Sequence, residues 1–380
     1  MRKFVAASLA AVFVFWSGTT LGQEDEFDKA RRLQQQEWET LNQKGQHLLV
    51  ESEQTWNRML REQQAAWERM KAEIERIWLD SLTTTRKEWV DYSDRYATRS
   101  YVNFETGDIV LATMVGTSEA RIRELSKERI SRQLSKILSA DNPSGRSILA
   151  GQIADSRGKK VTSETLDSYL NKEVFPRLRQ EPQPVVGRDG VRRYKISVPI
   201  KLIPEHTMVR ARPYIPEVSR QARKFGLRPE LIMAVMHTES YFDPMARSHA
   251  PAYGLMQLVP QYGAREAYQF LHKQDRLLPA TYLYVPENNI ELGAGYLHLL
   301  IYKHFISETD PLKNLYLSVC GYNWGPGAVR RKIVGRYPTS RMSPEKLYQV
   351  LRERTPEETR NYLHRVTDRI GMYQPLFDGG

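Results

Sequence analysis

The sequence predicts an α+β protein in three parts: a long N-terminal helical arm, a small α+β domain, and a mostly α-helical domain. Three observations support this prediction. Residues 24–91 contain one Gly and no Pro, and their apolar residues recur every three or four positions. Residues 92–203 combine alternating apolar runs, typical of strands, with helical stretches. From residue 204 onward the pattern is helical to residue 380.

The N-terminal residues and the composition indicate an exported protein. Arg2 and Lys3 precede an apolar stretch over residues 4–16 and small residues up to Gly22, which predicts a cleavable signal peptide at residues 1–22. Retention of this segment as an anchor is the alternative. The 380 residues are enough for two domains, and the formal net charge of +11 suits polyanionic partners. No nucleic-acid-binding motif is present, so we expect no nucleic-acid partner.

The predicted arm, residues 23–91, has an apolar seam with polar interruptions that includes Trp67 and Ile74. Such a seam either packs on the following domain or self-associates as a short coiled coil, so the oligomeric state stays open. In the small domain, residues 92–203, the pattern predicts a β-hairpin turning at Gly107, helices over residues 118–139 and 163–175, and a strand over residues 191–203. No residue of this domain is a catalytic candidate, and its role is either positioning or purely structural.

The last domain, residues 204–380, is predicted from helical periodicity and from helix start and stop signals such as Pro229 and Gly226. The predicted helices span residues 216–225, 229–238, 253–258, 290–305, 312–322, 328–334, 344–354 and 357–370.

One of these helices ends on a carboxylate. In the run LIMAVMHTES, Leu231, Val235 and Glu239 are spaced four residues apart and therefore share a helix face. Burial on an apolar face disfavours the ionised carboxylate, so its pKa should rise, as a general acid near neutral pH requires. The alternative is that Glu239 lies at an exposed helix end.

Four clusters in this domain together point to one chemistry. They are Glu239-Ser240 with Asp243-Pro244, GLMQ at residues 254–257, GYNWG at residues 321–325, and EETRNY at residues 357–362. With these clusters in this order, the sequence resembles the lytic transglycosylases that have a goose-type lysozyme fold. Residues 89–116 also resemble the N-terminal domain of a membrane-bound branch of that family. Members of that branch carry a lipidated Cys that this chain lacks, so lipid anchoring is not expected.

The resemblance implies a lysozyme-like catalytic domain that cleaves the β-1,4 bond between N-acetylmuramic acid and N-acetylglucosamine without water. Glu239 would act as acid and then as base, giving 1,6-anhydromuramoyl products, with no metal and no cofactor. A hydrolytic muramidase on the same fold and a non-catalytic peptidoglycan-binding scaffold remain the alternatives. Gly321 departs from the Ala that is usual at this position, and we expect this to alter packing rather than chemistry.

The resemblance also assigns roles to other residues of the clusters. It implies that Ser248, Gln257, Tyr322, Asn323, Glu358 and Tyr362 bind substrate and that Ser240 and Met256 support the site. The residues themselves leave alternatives open: Ser248 could cap a turn, Gln257 could be a core amide, and Asn323 could stabilise its loop. Trp324 either stacks on a sugar or fills the core. His237, His249 and His298 lack ligand or triad spacing and are expected to be non-catalytic.

The resemblance, the predicted signal peptide and the basic charge also predict partners and a location. The expected partner is the peptidoglycan glycan strand, and the predicted location is the periplasm. The helical arm is a candidate site for cell-wall machinery proteins, and the basic surface is compatible with peripheral membrane contact.

Overall fold

The structure is a computed structural model that describes residues 53–377 except 119, 142, 144, 146, 249 and 250. The predicted signal peptide, the first part of the predicted arm and His249 lie outside the described residues. The described chain contains helices and one antiparallel sheet, so the predicted α+β class is confirmed.

The described part of the arm is one helix, α1 (Glu53–Trp78). Helical structure was predicted to continue to residue 91, and this is wrong: Leu79 adopts a left-handed φ of 63°, an irregular segment follows, and a strand begins at Glu88. The last turns of α1 bury Ile74 and Trp78 against one face of the sheet, and the Trp78 indole donates to the Tyr96 carbonyl at 2.5 Å. The arm therefore packs on the following domain, the first of the two arrangements considered.

The small domain is built on an antiparallel sheet of six strands: β1 (Glu88–Ser93), β2 (Thr98–Asn103), β3 (Asp108–Gly116), β4 (Arg179–Gln180), β5 (Val185–Val186) and β6 (Arg192–Lys201). Their order in the sheet is β1-β2-β3-β6-β4, with β5 paired to β6. The predicted hairpin is formed by β2 and β3, with Gly107 at a φ of 72° in its turn. Helix α2 (Ile122–Leu138) packs beside β2 and β3, and α3 (Leu166–Tyr169) continues into a π-helical turn.

The C-terminal domain is helical, as predicted, but the segment at residues 253–258 is a turn rather than a helix. Gly254 and Gln257 have φ values of 76° and 47°, which an α-helix cannot accommodate. The helices at His206–Ala211, Gly263–His272 and Ala280–Leu283 were not predicted. The helices are α4 (His206–Ala211), α5 (Ile215–Phe225), α6 (Pro229–Ser240), α7 (Gly263–His272), α8 (Ala280–Leu283), α9 (Pro286–Leu299), α10 (Pro311–Trp324), α11 (Pro326–Val329), α12 (Pro344–Arg354) and α13 (Glu357–Tyr373).

Helix α6 is the centre of this domain. Every residue from Leu231 to Ser240 is buried, so the helix is covered on all sides and does not have the single apolar face that its spacing predicted. Pro229 lies in its first turn, and Tyr241 ends it with a left-handed φ of 50°. Helix α13 packs along α6.

The end of α6 is also fixed to the small domain. Tyr241 packs in the apolar core of that domain and donates its hydroxyl to Glu105 at 2.5 Å. The buried guanidinium of Arg210 donates to the Tyr241 carbonyl at 2.9 Å and to the Phe104 carbonyl at 3.3 Å. These contacts hold the residue two positions after Glu239 against the neighbouring domain, which fixes where the Glu239 side chain lies.

Candidate active site

Glu239 lies at the C-terminal end of α6, with 5% of its surface exposed. Burial raises the pKa of its carboxyl from the ordinary 4.5 to about 7. The positive charge of Arg86 and the Tyr362 hydroxyl oppose this rise, and the negative charge of Glu358 adds to it. The carboxyl can therefore hold a proton near neutral pH and can also release it.

Arg86 belongs to the site although no sequence motif marked it. It lies in the irregular segment between α1 and β1, and its Nη1 is 3.7 Å from Oε2 of Glu239. Its Nη2 is 3.2 Å from Oε1 of Glu358, so one guanidinium bridges the two carboxylates. A basic residue after three consecutive threonines carries no signal of this contact in the sequence.

Two tyrosines lie beside Glu239. The rings of Tyr322 and Tyr362 are parallel, with their centroids 6.4 Å apart. The Tyr322 hydroxyl donates to the Met256 carbonyl at 2.8 Å. The Tyr362 hydroxyl is buried without a well-formed hydrogen bond to the described residues. Burial and the charge of Glu239 raise the pKa of both phenols well above the ordinary value, so both remain protonated.

The turn at residues 254–257 supports the end of α6. Ser240 donates its hydroxyl to the Leu255 carbonyl at 2.7 Å, and the Met256 side chain is fully buried. The Gln257 amide nitrogen donates to the carbonyls of Ala246 and Gly254 at 2.9 and 3.0 Å, while its Oε1 has no partner among the described residues. Gln257 thus stabilises the turn with its nitrogen, while its oxygen is buried without a partner among the described residues.

Glu239 lies on the wall of a cleft of about 660 Å³ between the two domains. The α1 helix forms part of its wall, where the Trp67 ring lies 4.9 Å from the Arg247 guanidinium. Sequence reasoning missed Arg247 and the contribution of the arm. The lining residues are Gln64, Trp67, Lys71, Thr83, Thr84, Thr85, Arg86, Lys87, Glu239, Arg247, Ser248, Ala252, Gln257, Val259, Tyr322, Asn323 and Glu358.

The remaining motif residues fall into two groups. Ser248, Asn323 and Glu358 line the cleft, and Asn323 also accepts a hydrogen bond from Thr359 at 2.7 Å, so it joins α10 to α13. Trp324 points into a neighbouring cleft instead. A Cβ at Gly321 would lie 2.8 Å from the Phe305 ring, which gives a packing reason for glycine there.

The histidines of the described chain are occupied by structural contacts. His237 pairs with the Tyr373 hydroxyl at 2.9 Å, and His298 lies 2.8 Å from the Phe225 carbonyl oxygen. Burial lowers the pKa of His237 to about 3, so its imidazole is neutral at physiological pH. Across the described residues, no three His, Cys, Asp or Glu side chains come together as metal ligands.

Two carboxylates face the cleft, and their environments differ. Glu239 is buried, whereas 65% of the Glu358 side chain is exposed and paired with Arg86. A proton donor of raised pKa on the wall of a cleft suits acid catalysis on a bound saccharide. Within the part of the chain that the structure describes, no helix has the length and apolar character needed to cross a membrane.

Two protein-family models match this chain. The family described as Transglycosylase SLT domain matches residues 217–341, and the family described as Membrane-bound lytic murein transglycosylase C, N-terminal domain, matches residues 57–212. Membrane-bound lytic murein transglycosylase C of Haemophilus influenzae is 33% identical over 296 residues, covering 75% of this chain and 81% of that protein. The protein of that name from Mannheimia succiniciproducens is 32% identical over 305 residues, covering 77% and 83%.

A solved structure is also similar in part. An inactive mutant of the lytic transglycosylase Slt from Pseudomonas aeruginosa is 28% identical, with a TM-score of 0.36. The match covers 43% of this chain and 24% of that one.

Proposed function

This chain belongs to the membrane-bound lytic murein transglycosylase C family and is a peptidoglycan lytic transglycosylase, and we propose that Glu239 is its single catalytic acid and base. The proposed products are glycan strands ending in 1,6-anhydromuramic acid. The observation that carries the proposal is the environment of Glu239, which is buried at the end of α6, opens on the cleft and has a pKa raised to about 7.

In the first step, protonated Glu239 donates its proton to the glycosidic oxygen that leaves C1 of N-acetylmuramic acid. As the C1–O bond breaks, the carbonyl oxygen of the 2-acetamido group of the same sugar bonds to C1. Glu239 is left as a carboxylate. Arg86, whose Nη1 is 3.7 Å from Oε2 of Glu239, stabilises the negative charge that forms.

In the second step, the C6 hydroxyl of the muramic acid attacks C1. Its proton passes to the Glu239 carboxylate, the bond from the acetamido oxygen to C1 breaks, and the 1,6-anhydro ring closes. The acid is regenerated and no water is consumed. A pKa near 7 suits both steps, because the same group must give up a proton and take one back at the same pH.

The surrounding residues are proposed to hold the sugar for this chemistry. Gln257, Ser248 and Asn323 are polar residues of the cleft wall and are proposed to bind the sugar by hydrogen bonds. Tyr322 and Tyr362 form the buried side of the Glu239 environment. Glu358 is proposed to set the position of Arg86 through their ion pair at 3.2 Å, and its exposure makes it a poor candidate for a second proton carrier.

Product analysis tests the proposal. Purified sacculi are digested with the wild-type protein in oxygen-labelled water, and the released fragments are examined by mass spectrometry. We expect unlabelled anhydro ends, and at least about a 100-fold lower rate for Glu239→Gln, since general acid–base catalysis contributes that much or more. Glu353→Gln removes an exposed carboxylate outside the site and serves as the matched control.

The other outcomes have separate meanings. Reducing ends that carry label from water would identify a hydrolytic muramidase. Binding without cleavage would identify a scaffold. Anhydro ends formed at the wild-type rate by Glu239→Gln would show that the assignment of Glu239 is wrong, whatever the products.

A further inference from the structure

A second cleft, of about 480 Å³, lies beside the active site. Two aromatic and three cationic side chains contribute to its wall, and no carboxylate is among the residues that line it. These residues are Trp324, Lys332, Arg336, Tyr337, Arg354, Thr355 and Pro356.

This second cleft adjoins the active-site cleft through two short stretches of chain. At the end of α10, Asn323 lines the active-site cleft and the next residue, Trp324, lines the second cleft. At the start of α13, Pro356 lines the second cleft and Glu358 lines the active-site cleft. The Thr359 hydroxyl donates to Asn323 at 2.7 Å and ties the two stretches together. The two clefts are therefore neighbours at the end of α10 and the start of α13.

The charge of the second cleft is uncompensated. Lys332, Arg336 and Arg354 are exposed, and none of them forms an ion pair with a carboxylate in the described part of the chain. Many other exposed cations of the protein do have such a partner, as Arg220 does with Glu217 at 2.6 Å. Three cationic groups around one cavity attract anions, and guanidinium groups pair well with carboxylates.

We propose that the second cleft binds the carboxylates of the stem peptide carried by the glycan strand in the active-site cleft. The proposal rests on the proposed function. Within a peptidoglycan strand, the alternating amino sugars are uncharged where the lactyl group is joined to a peptide, so the anionic groups belong to the stems. Trp324 and Tyr337 provide an apolar surface for the methyl groups of the stem alanines, and the three cations provide the charge that the carboxylates need.

A charge-removal variant tests the proposal on two substrates. The variant is Lys332→Gln/Arg336→Gln/Arg354→Gln, and the substrates are glycan strands that retain their stems and strands from which an amidase has removed them. At low salt we expect KM for the stem-bearing strands to rise about five- to tenfold, since each exposed ion pair contributes a modest factor. KM for the stripped strands should match that of the wild-type protein.

A matched control removes the same charge from another surface. Arg157, Lys159 and Lys160 are exposed in the small domain and line neither cleft, so Arg157→Gln/Lys159→Gln/Lys160→Gln should retain the wild-type KM for stem-bearing strands. An equal KM change on both substrates, an unchanged KM on stem-bearing strands, or a similar rise in the control would overturn the proposal.

Direct binding separates this proposal from the proposed function. Calorimetric titration with purified stem tetrapeptide should give binding to the wild-type protein and to Glu239→Gln, and none to the charge-removal variant. Binding that the variant retains would overturn the stem-peptide assignment even if anhydro products form. Loss of binding in the variant would support it even if the products turn out to be hydrolytic.

Discussion

Replacing Glu239 with Gln should make the protein more stable at alkaline pH, and the size of the effect follows from the burial of the carboxyl. Glutamine is close in shape to a protonated glutamate, so the substitution removes the cost of ionisation with little change in packing. In the folded protein the pKa of Glu239 is raised from 4.5 to about 7. Between these two values the folded state binds a proton that the unfolded state has released, so stability falls as pH rises.

The magnitude comes from that difference in pKa. At about 1.4 kcal/mol per pKa unit, the wild-type protein loses about 3 kcal/mol of stability on going from below pH 4.5 to above pH 7, and Glu239→Gln does not. The difference between the two proteins should therefore be small at pH 4.5 and about 3 kcal/mol at pH 8. Asp243, whose pKa is also raised by burial, to about 6, is present in both proteins and cancels.

Thermal unfolding followed by circular dichroism at pH 4.5 and pH 8 measures the difference. We expect the melting temperature of Glu239→Gln to exceed that of the wild-type protein by at least about 5 °C at pH 8. Glu353→Gln is the control, because that side chain is exposed and lines neither cleft. A difference of the same size at both pH values, or a less stable Glu239→Gln at pH 8, would show that Glu239 is not desolvated as described.

Two further predictions concern Arg86 and Gly254. Arg86→Gln removes the cation that lowers the pKa of Glu239, so the alkaline limb of the pH profile of kcat/KM should move to higher pH. A limb that stays in place or moves to lower pH would show that Arg86 does not lower the pKa of Glu239. Gly254→Ala places a Cβ against the Asn289 side chain and the Leu283 carbonyl at a φ of 76°, and should lower the free energy of unfolding by about 2–4 kcal/mol in urea titrations. Gly158→Ala is the control for backbone strain alone, because Gly158 has a φ of 80° and no atom lies within 4 Å of the added Cβ; it should lower the free energy of unfolding by about 1 kcal/mol. If both glycine variants lose the same free energy of unfolding, the steric clash at Gly254 is refuted.

The sequence predicted the parts of the site that lie in motifs. Ser248, Gln257, Tyr322 and Asn323, which the resemblance assigned to the site, line one cleft with Glu239. The turn at residues 254–257 was mistaken for a helix, since its apolar residues resemble helical periodicity and its left-handed backbone at Gln257 has no marker in the sequence. Gly254 was the one residue in the sequence that indicated a turn there.

The other wall of the cleft could not be predicted. Arg86 is 272 residues from Glu358 in the chain, and Trp67 and Arg247 are an ordinary aromatic and an ordinary cation until the fold brings them together. No local pattern encodes such contacts, because they depend on how α1 packs on the sheet and how the sheet packs on the helical domain. The helical arm was accordingly interpreted as a docking or self-association element rather than as part of the active site.

The two walls of the cleft come from different domains, and this explains how one carboxylate can be both buried and accessible. The residues of helix α6 from Leu231 to Ser240 are buried, and burial is the main cause of the raised pKa of Glu239. Arg86 comes from the other side of the cleft and lowers the pKa again, so that release of the proton stays within reach at neutral pH. The acidity of Glu239 is thus set by both domains together. Any motion that moves the segment carrying Arg86 away from α6 would change the pKa of the catalytic group along with the width of the cleft.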